Sequence, residues 1–498
     1  MLQNGVLARQ YPVALTTGTL ASRWTLTLVV VIAVVLGIGL SGLNLGYGSH
    51  GDSRAIFEAS VAAISNGHYA PSRSYGVPLY EYAAALLQAL GGTWLVNLYS
   101  LVLSLASIAI FARLLARPDG TATPAANSWA LAGFALNPLL LINASSPTEW
   151  AQAMFFLVGA LSGIVAWLRT RRLAPLANYC LCICGLVLSR PDFAVVCLAL
   201  GLAVLWELKL ERRASLVFIA VTALAGAVTV AIYMLLNGGP AFFLRAGEMV
   251  GDQIGLRRAF VAAAGVVDLF GLAGCVALAL GVGLAIRRNG RVGLPFFEKL
   301  ALLAWPILFA RVAMLPDKLE YLFPLIPITL LALASKRQPV AMIALVAVSL
   351  MLNSIFTISL FDRAGASDRL AFSLHLNKSA VLQDRDARIA QTHALDSGFQ
   401  TRVAAAAYGS DADVHRLYFK NFNPGYTDDL GNLILSRDEL YKLDNPRFTD
   451  ARYARTSYNR IVICDRTFIA DNVGWRVLQP PPAYASFDGN NALHCRAE

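Results

Sequence analysis

Residues 25–43 read Thr-Leu-Thr-Leu-Val-Val-Val-Ile-Ala-Val-Val-Leu-Gly-Ile-Gly-Leu-Ser-Gly-Leu, a run without a single charge. As a helix rising about 1.5 Å per residue it covers close to the ~30 Å hydrocarbon core of a bilayer. It follows Arg9 and Arg23 and is not followed by a small-residue cleavage site, so it reads as an uncleaved first span. Gly37 to Gly42 within it matches the dinucleotide pattern G-x-G-x-x-G. The match follows no strand and opens no βαβ unit, so its glycines fit close helix packing instead.

Working outward, ten more apolar runs lie near 94–112, 127–143, 150–168, 173–189, 193–208, 214–236, 261–286, 297–315, 319–335 and 339–361. The fold class expected is therefore a polytopic α-helical membrane protein of about eleven spans. Composition agrees: 57% of the 498 residues are hydrophobic and 14% charged, with mean hydropathy +0.56. A soluble domain carries about a quarter charged residues, so one large soluble globule is excluded, as are disorder and a disulfide miniprotein.

The net charge of +10 is unevenly placed: residues 1–361 hold 24 Lys/Arg against 14 Asp/Glu, and residues 362–498 hold 17 of each. The bases sit in short clusters between apolar runs, which is no nucleic-acid footprint. With the N-terminus in the cytoplasm, the inner loops hold 16 Lys/Arg and the outer loops 8, as the positive-inside rule requires. An odd number of spans then puts residues 362–498 outside. The 34 Arg to 7 Lys point to a GC-rich bacterial genome, hence to a bacterial inner membrane.

Two units follow: a transmembrane module at 1–361, whose first outer loop is 44–93, and an extracytoplasmic α/β domain at 362–498. In the second, Ile461–Ile463 and Trp475–Leu478 read as strands and Arg437–Lys442 as helix. Cys464 and Cys495 lie there, where an oxidising compartment permits a disulfide. Cys180, Cys182 and Cys184 are no metal cluster, because on a helix Cys182 points away from the other two. No metal-ligand spacing stands out elsewhere, so a divalent metal has no support.

Polar residues gather on the outer side. The first outer loop carries His50-Gly51-Asp52-Ser53-Arg54, an apolar helix over Ala55–Ile64, then Ser72-Arg73-Ser74-Tyr75-Gly76-Val77-Pro78-Leu79-Tyr80-Glu81. Leu79–Leu90 resembles a second juxtamembrane helix, too short to span. Glu149 opens the fourth span, Arg190 and Asp192 end the fifth, and Arg257, Arg258 and Arg311 lie near later outer ends. Lys318, Glu320 and Tyr321 precede the tenth span, and Asp268 sits within the eighth. Acids and bases at one membrane face suit group transfer from a lipid-linked donor. A carboxylate takes the acceptor proton, and arginine forks neutralise the departing phosphate.

One span, a long outer loop with an early Asp, the Ser-Arg-x-x-Gly-x-Pro-Leu-Tyr-Glu stretch (Ser72 to Glu81), an acid after span three, and Lys-x-Glu-Tyr-Leu-x-Pro-x-x-Pro (Lys318 to Pro327) together resemble the GT-C glycosyltransferases. Protein O-mannosyltransferases and lipid A aminoarabinose transferases belong to that superfamily. The resemblance covers most of residues 24–335. It implies a polyprenyl-phosphate-sugar donor, an acceptor on glycan, lipid or protein, extracytoplasmic catalysis, and usually inversion. It implies Asp52 as general base and Glu149 as the acid of the second outer loop. The phosphate binders expected beside them are Arg73, Arg54 and Lys318, with Tyr75, Glu81, Arg190, Arg257, Arg258, Arg311, Glu320 and Tyr321 as further pocket candidates. Many members carry Asp-Glu where this chain has Asp52-Ser53. A transporter of lipid-linked sugars would show repeats and broken midplane helices, and a noncatalytic scaffold would make Asp52 replaceable.

Overall fold

The computed structural model describes residues 19–45, 56, 59, 69, 71–72, 76–116, 123–209, 211–236, 256–292, 294–314, 319–334, 338–363, 370–378, 381–382, 384–385, 433–436, 461–464, 484–487 and 493–496. Helix α1 is Thr19–Gly42 and α2 is Pro78–Leu115. The third apolar run is split: α3 (Pro124–Ala135) stops before Asn137, whose side chain accepts the Leu140 N–H and starts α4 (Pro138–Asn143). Then come α5 (Trp150–Thr170), α6 (Leu173–Ser189), a 3₁₀ turn at Pro191–Phe193, α7 (Ala194–Glu207) and α8 (Arg212–Leu236). Helices α9 (Leu256–Val292) and α10 (Phe296–Met314) lead to a 3₁₀ turn at Leu319–Leu322, α11 (Leu325–Leu333) and α12 (Val340–Leu352).

Among the described residues, five helices are long and apolar enough to cross a membrane: Trp24–Gly42, Pro78–Leu115, Trp150–Thr170, Arg212–Leu236 and Arg258–Leu284. Three shorter apolar helices stand beside them, at Leu173–Ser189, Glu320–Leu333 and Val340–Leu352. The chain is a multi-pass membrane protein. Its largest side chains follow the solvent: on α8, Leu216, Ile219, Leu224 and Leu235 are exposed, Leu235 at 83%. In water that surface would be a liability, whereas lipid covers it without cost.

Small residues let the helices approach. A Cβ on Gly39 would stand 2.4 Å from Leu101 Cδ1 of α2, so one glycine of the false dinucleotide pattern is a packing contact. Cys182 Sγ lies against Gly159 of α5, and Cys184 Sγ contacts the Ala225 carbonyl of α8 at 3.4 Å. The cysteine trio therefore divides between two neighbours. Among the described residues no group of three His, Cys, Asp or Glu is gathered to hold a metal.

Among the described residues, two helices are interrupted at glycines with positive φ. In α2, Gly92 (φ 64°) separates a Pro78–Leu90 segment from the span that follows, as the two apolar runs in the sequence suggest. In α9 the break falls at Gly271 (φ 69°). Asn353, just past α12, donates through Nδ2 to the carbonyls of Asp268 (2.9 Å) and Leu269 (2.7 Å), immediately before the break.

The run at 339–361 is not one helix. It ends at Leu352, and β1 (Phe356–Arg363) pairs antiparallel with β2 (Leu370–Lys378). The β-branched and aromatic residues of Phe356-Thr-Ile-Ser-Leu-Phe favour the strand. Farther on, β3 (Leu433–Ser436), β4 (Ile461–Cys464), β5 (Tyr484–Phe487) and β6 (Leu493–Arg496) form a sheet in that order, β3 parallel to β4 and the other pairs antiparallel. The expected strand at Ile461–Ile463 is present; those expected at 475–478 and the helix at 437–442 lie outside the described residues. Because β5 lies between β4 and β6, the strands bearing Cys464 and Cys495 are two strand spacings (about 9.6 Å) apart.

Candidate active site

The loop from α4 to α5 runs Ser145-Ser146-Pro147-Thr148-Glu149 and is buried throughout. Its own side chains hold it: Ser146 Oγ donates to the Ile142 carbonyl (2.7 Å) and Thr148 Oγ1 to Asn143 Oδ1 (2.6 Å). Glu149 emerges at the N-terminus of α5 with no measurable exposure. Arg190, at the end of α6 and equally buried, donates from Nη1 to Glu149 Oε1. Its Nη2 reaches Asp192 Oδ2 at 3.1 Å, and the other oxygen of Asp192 accepts Arg311 Nη2 of α10 at 2.8 Å. Acid and base alternate along four residues, so no uncompensated charge is buried.

Aromatic rings wall this chain. The Arg190 guanidinium lies 3.8 Å from the Trp150 ring centre and 5.4 Å from that of Tyr321, and Arg311 lies 4.6 Å from Tyr321. Trp150 and Tyr321 meet edge to face with centroids 6.1 Å apart. Stacking on a guanidinium face leaves its in-plane N–H groups to the carboxylates. The inner pair is sealed, whereas Asp192 and Arg311 retain about a tenth of their side-chain surface. Arg311 Nη1 is buried and finds no hydrogen-bond partner among the described residues. Arg258, near the start of α9, donates to the Met314 carbonyl at 2.8 Å and closes the end of α10 beside this cluster.

Five of the expected pocket residues are thus placed at one end of the bundle: Glu149, Arg190, Arg258, Arg311 and Tyr321. Glu320 sits half-buried on the same 3₁₀ turn as Tyr321. Glu81 is buried and accepts from Tyr69 Oη (2.5 Å), Ser72 N (2.7 Å) and Val77 N (2.9 Å), tying the preceding segment to the start of α2. Burial, then the Glu81 charge, pushes the Tyr69 hydroxyl well above its ordinary value and keeps it protonated as the donor. Gly76 (φ 61°) completes this latch, since a Cβ there would collide with Tyr69 Oη. Asp52, Arg54, Arg73, Tyr75 and Lys318 lie outside the described residues, as does the side chain of Arg257. Of the expected helix over 55–64, Ile56 and Ala59 are described; both are helical and buried, and Ile56 packs on Val77, Tyr80 and Val96.

Asp192 is the residue that sequence reasoning undervalued. Its spacing from Arg190 suggests a local pair at a helix end, but the carboxylate bridges two arginines from different helices. Ser145 also lines a cavity of about 530 Å³ bounded by Val34 and Ile38 of α1, Leu141, Leu352 and Arg385. Its walls are mostly apolar, within the size range of organic ligand sites.

No family model matches the chain, and no curated protein matches it. Among solved structures it is similar to the cryo-EM structure of arabinosyltransferase EmbB from Mycobacterium smegmatis, with 16% identity and a TM-score of 0.41. The similarity covers 67% of this chain and 31% of that one, so this chain spans about a third of its length.

Proposed function

We propose that the protein is a membrane-embedded glycosyltransferase that moves a sugar from a polyprenyl-phosphate donor to an acceptor hydroxyl at the extracytoplasmic face, with inversion. The observation that carries this reading is Arg311: it ends a buried chain of ion pairs with Nη1 unspent. Glu149 fixes Arg190, Arg190 fixes Asp192, and Asp192 holds Arg311 in one orientation. A fork held in place before substrate arrives suits a phosphate whose charge grows as the bond to sugar breaks.

In the reaction, the acceptor oxygen attacks the anomeric carbon and the bond from that carbon to the phosphate oxygen breaks. Asp52 takes the acceptor proton. Arg311, with Arg73, Arg54 and Lys318 from the outer loops, receives the phosphate that leaves. Glu149 acts through Arg190 in this scheme and takes no proton. The apolar cavity beside Ser145 suits part of a hydrocarbon chain.

The test compares wild type and Asp52→Asn in a deletion strain at matched membrane levels, with mass spectrometry of envelope glycans and polyprenyl-phosphate sugars. The wild type is expected to restore a glycan, and the variant to leave a lipid-linked sugar unused. A lost general base lowers turnover by about 10²- to 10⁴-fold. Equal restoration by the variant would show Asp52 to be replaceable and remove the transferase reading.

A further inference from the structure

A basic face lies at the other end of the bundle. Helix α5 starts beside Glu149 and runs 21 residues to Thr170, so about 30 Å separates its far end from the ion chain. There Arg171 turns the chain at φ 54° and donates from Nε (3.1 Å) and Nη2 (2.7 Å) to the two carboxylate oxygens of Glu211, just before α8. This bridge ties the α5–α6 turn to the α7–α8 turn. Arg171 also lies 5.3 Å from the Trp167 ring centre, and Trp167 stacks on Phe218 of α8 with centroids 5.7 Å apart. Helices α6 and α8 run in the same direction: Cys184 meets the Ala225 carbonyl and, farther along both, Tyr233 Oη donates to the Val187 carbonyl at 2.9 Å. Both therefore begin at this face.

The charges on these two turns do not balance. Residues 169–172 and 207–213 hold six bases, Arg169, Arg171, Arg172, Lys209, Arg212 and Arg213, against two acids, Glu207 and Glu211. Both acids are spent, Glu211 on Arg171 at 2.7 Å and Glu207 on Lys299 at 2.6 Å. Arg169 has an interaction of its own. Arg172, Lys209, Arg212 and Arg213 are exposed, and among the described residues no acid pairs with them. Apolar side chains continue from these charges onto the surface that lipid covers: Leu173, next to Arg172, is 68% exposed, and Leu216, one turn beyond Arg212, is 58% exposed. The four cations thus sit where headgroups meet hydrocarbon, and the ligand that complements them is an anion with an apolar tail.

We propose that the two bridged turns bind a doubly anionic, cardiolipin-type phospholipid from the leaflet opposite the candidate active site. One phosphate meets Arg172 on the α5–α6 turn, and the other meets Arg212 and Arg213, with Lys209 beside them, on the α7–α8 turn. Arg172 and Arg212 follow directly on the bridged residues Arg171 and Glu211, so the bridge that neutralises one pair also holds the unspent arginines of both turns side by side. Guanidinium forks suit phosphate oxygens, and the acyl chains lie along Leu173 and Leu216. A lipid with a single phosphate would leave one of the two turns without a counter-charge. This site is independent of the transferase reading.

The full chain would be purified, stripped of lipid, and mixed with cardiolipin and phosphatidylglycerol of identical acyl chains at equal phosphate. Native mass spectrometry then counts what stays bound. The wild type is expected to retain one cardiolipin about tenfold in preference to phosphatidylglycerol, the factor that one or two added cation contacts support. Arg172→Gln, and the pair Arg212→Gln with Arg213→Gln, should each bring the ratio near one. Arg287→Gln removes an exposed charge from α9, outside the two turns, and should leave the ratio unchanged. Equal retention of the two lipids by wild type, or none of either, overturns the proposal even if no variant folds. Undiminished preference in the Arg172 and Arg212/Arg213 variants places the lipid elsewhere and overturns it too. So does a loss in Arg287→Gln as large as theirs, which would mean that net charge rather than this site selects the lipid.

Discussion

Glu149 and Arg190 show how little of a charged residue's role lies in its own identity. Both are sealed from solvent, and each helps to neutralise the other. Glu149→Gln or Arg190→Met should each destabilise the protein by about 3–5 kcal/mol, because either leaves a buried charge uncompensated. The double substitution should cost clearly less than the sum, read as thermal unfolding in detergent; a simple sum would mean that the pair is not coupled. The sequence made these residues visible as ionisable groups at the ends of apolar runs, which are expensive and therefore conspicuous. It could not show that Asp192 reaches Arg311, because 119 residues separate them and no local spacing encodes the bridge. Glu81 adds contacts that its neighbours in sequence do not announce: its oxygens accept from Tyr69, Ser72 and Val77.

Among the elements, α2 was legible in both halves, because a pair of glycines punctuates two apolar runs and Gly92 takes a backbone conformation that side chains resist. The strand at 356–363 was not, since a short apolar run fits helix and strand alike until its partner is known. Packing between elements is carried by small residues whose importance is local. Gly39→Leu should push α1 from Leu101 and lower stability by about 1–3 kcal/mol, the usual cost of overpacking. Gly37→Leu has open space around it and serves as the control. A disulfide cross-link between cysteines placed on facing positions of α1 and α2 should form more slowly in the Gly39 variant alone; equal rates in both variants would show that the close contact is dispensable.

For the whole molecule, the bilayer decides which surfaces are acceptable, and the large exposed side chains of α1 and α8 are the clearest sign of it. That sign was present in composition and charge distribution before any coordinate. The length of each helix was not, because breaks at Gly271 and Asn137 depend on what stands opposite. Asn353 is the case in point. Its side chain completes the backbone of α9 from 84 residues later in the chain. A ribosome adds about 5–20 residues per second, so roughly 4–17 s pass between the synthesis of Leu269 and that of the residue that satisfies its carbonyl. Throughout that interval α9 stands without the two hydrogen bonds that Asn353 brings to its break, and in hydrocarbon nothing replaces them, so it gains by staying at the aqueous seam of the insertion machinery until α12 arrives. Asn353→Leu would make the wait permanent. Its expected signature is a longer-lived cross-link between α9 and the translocon in pulse-chase experiments, with less full-length protein in the membrane; wild-type release kinetics would rule the dependence out. The break at Gly271 thereby acts as a clock on assembly, set by the distance along the messenger between one glycine and one asparagine.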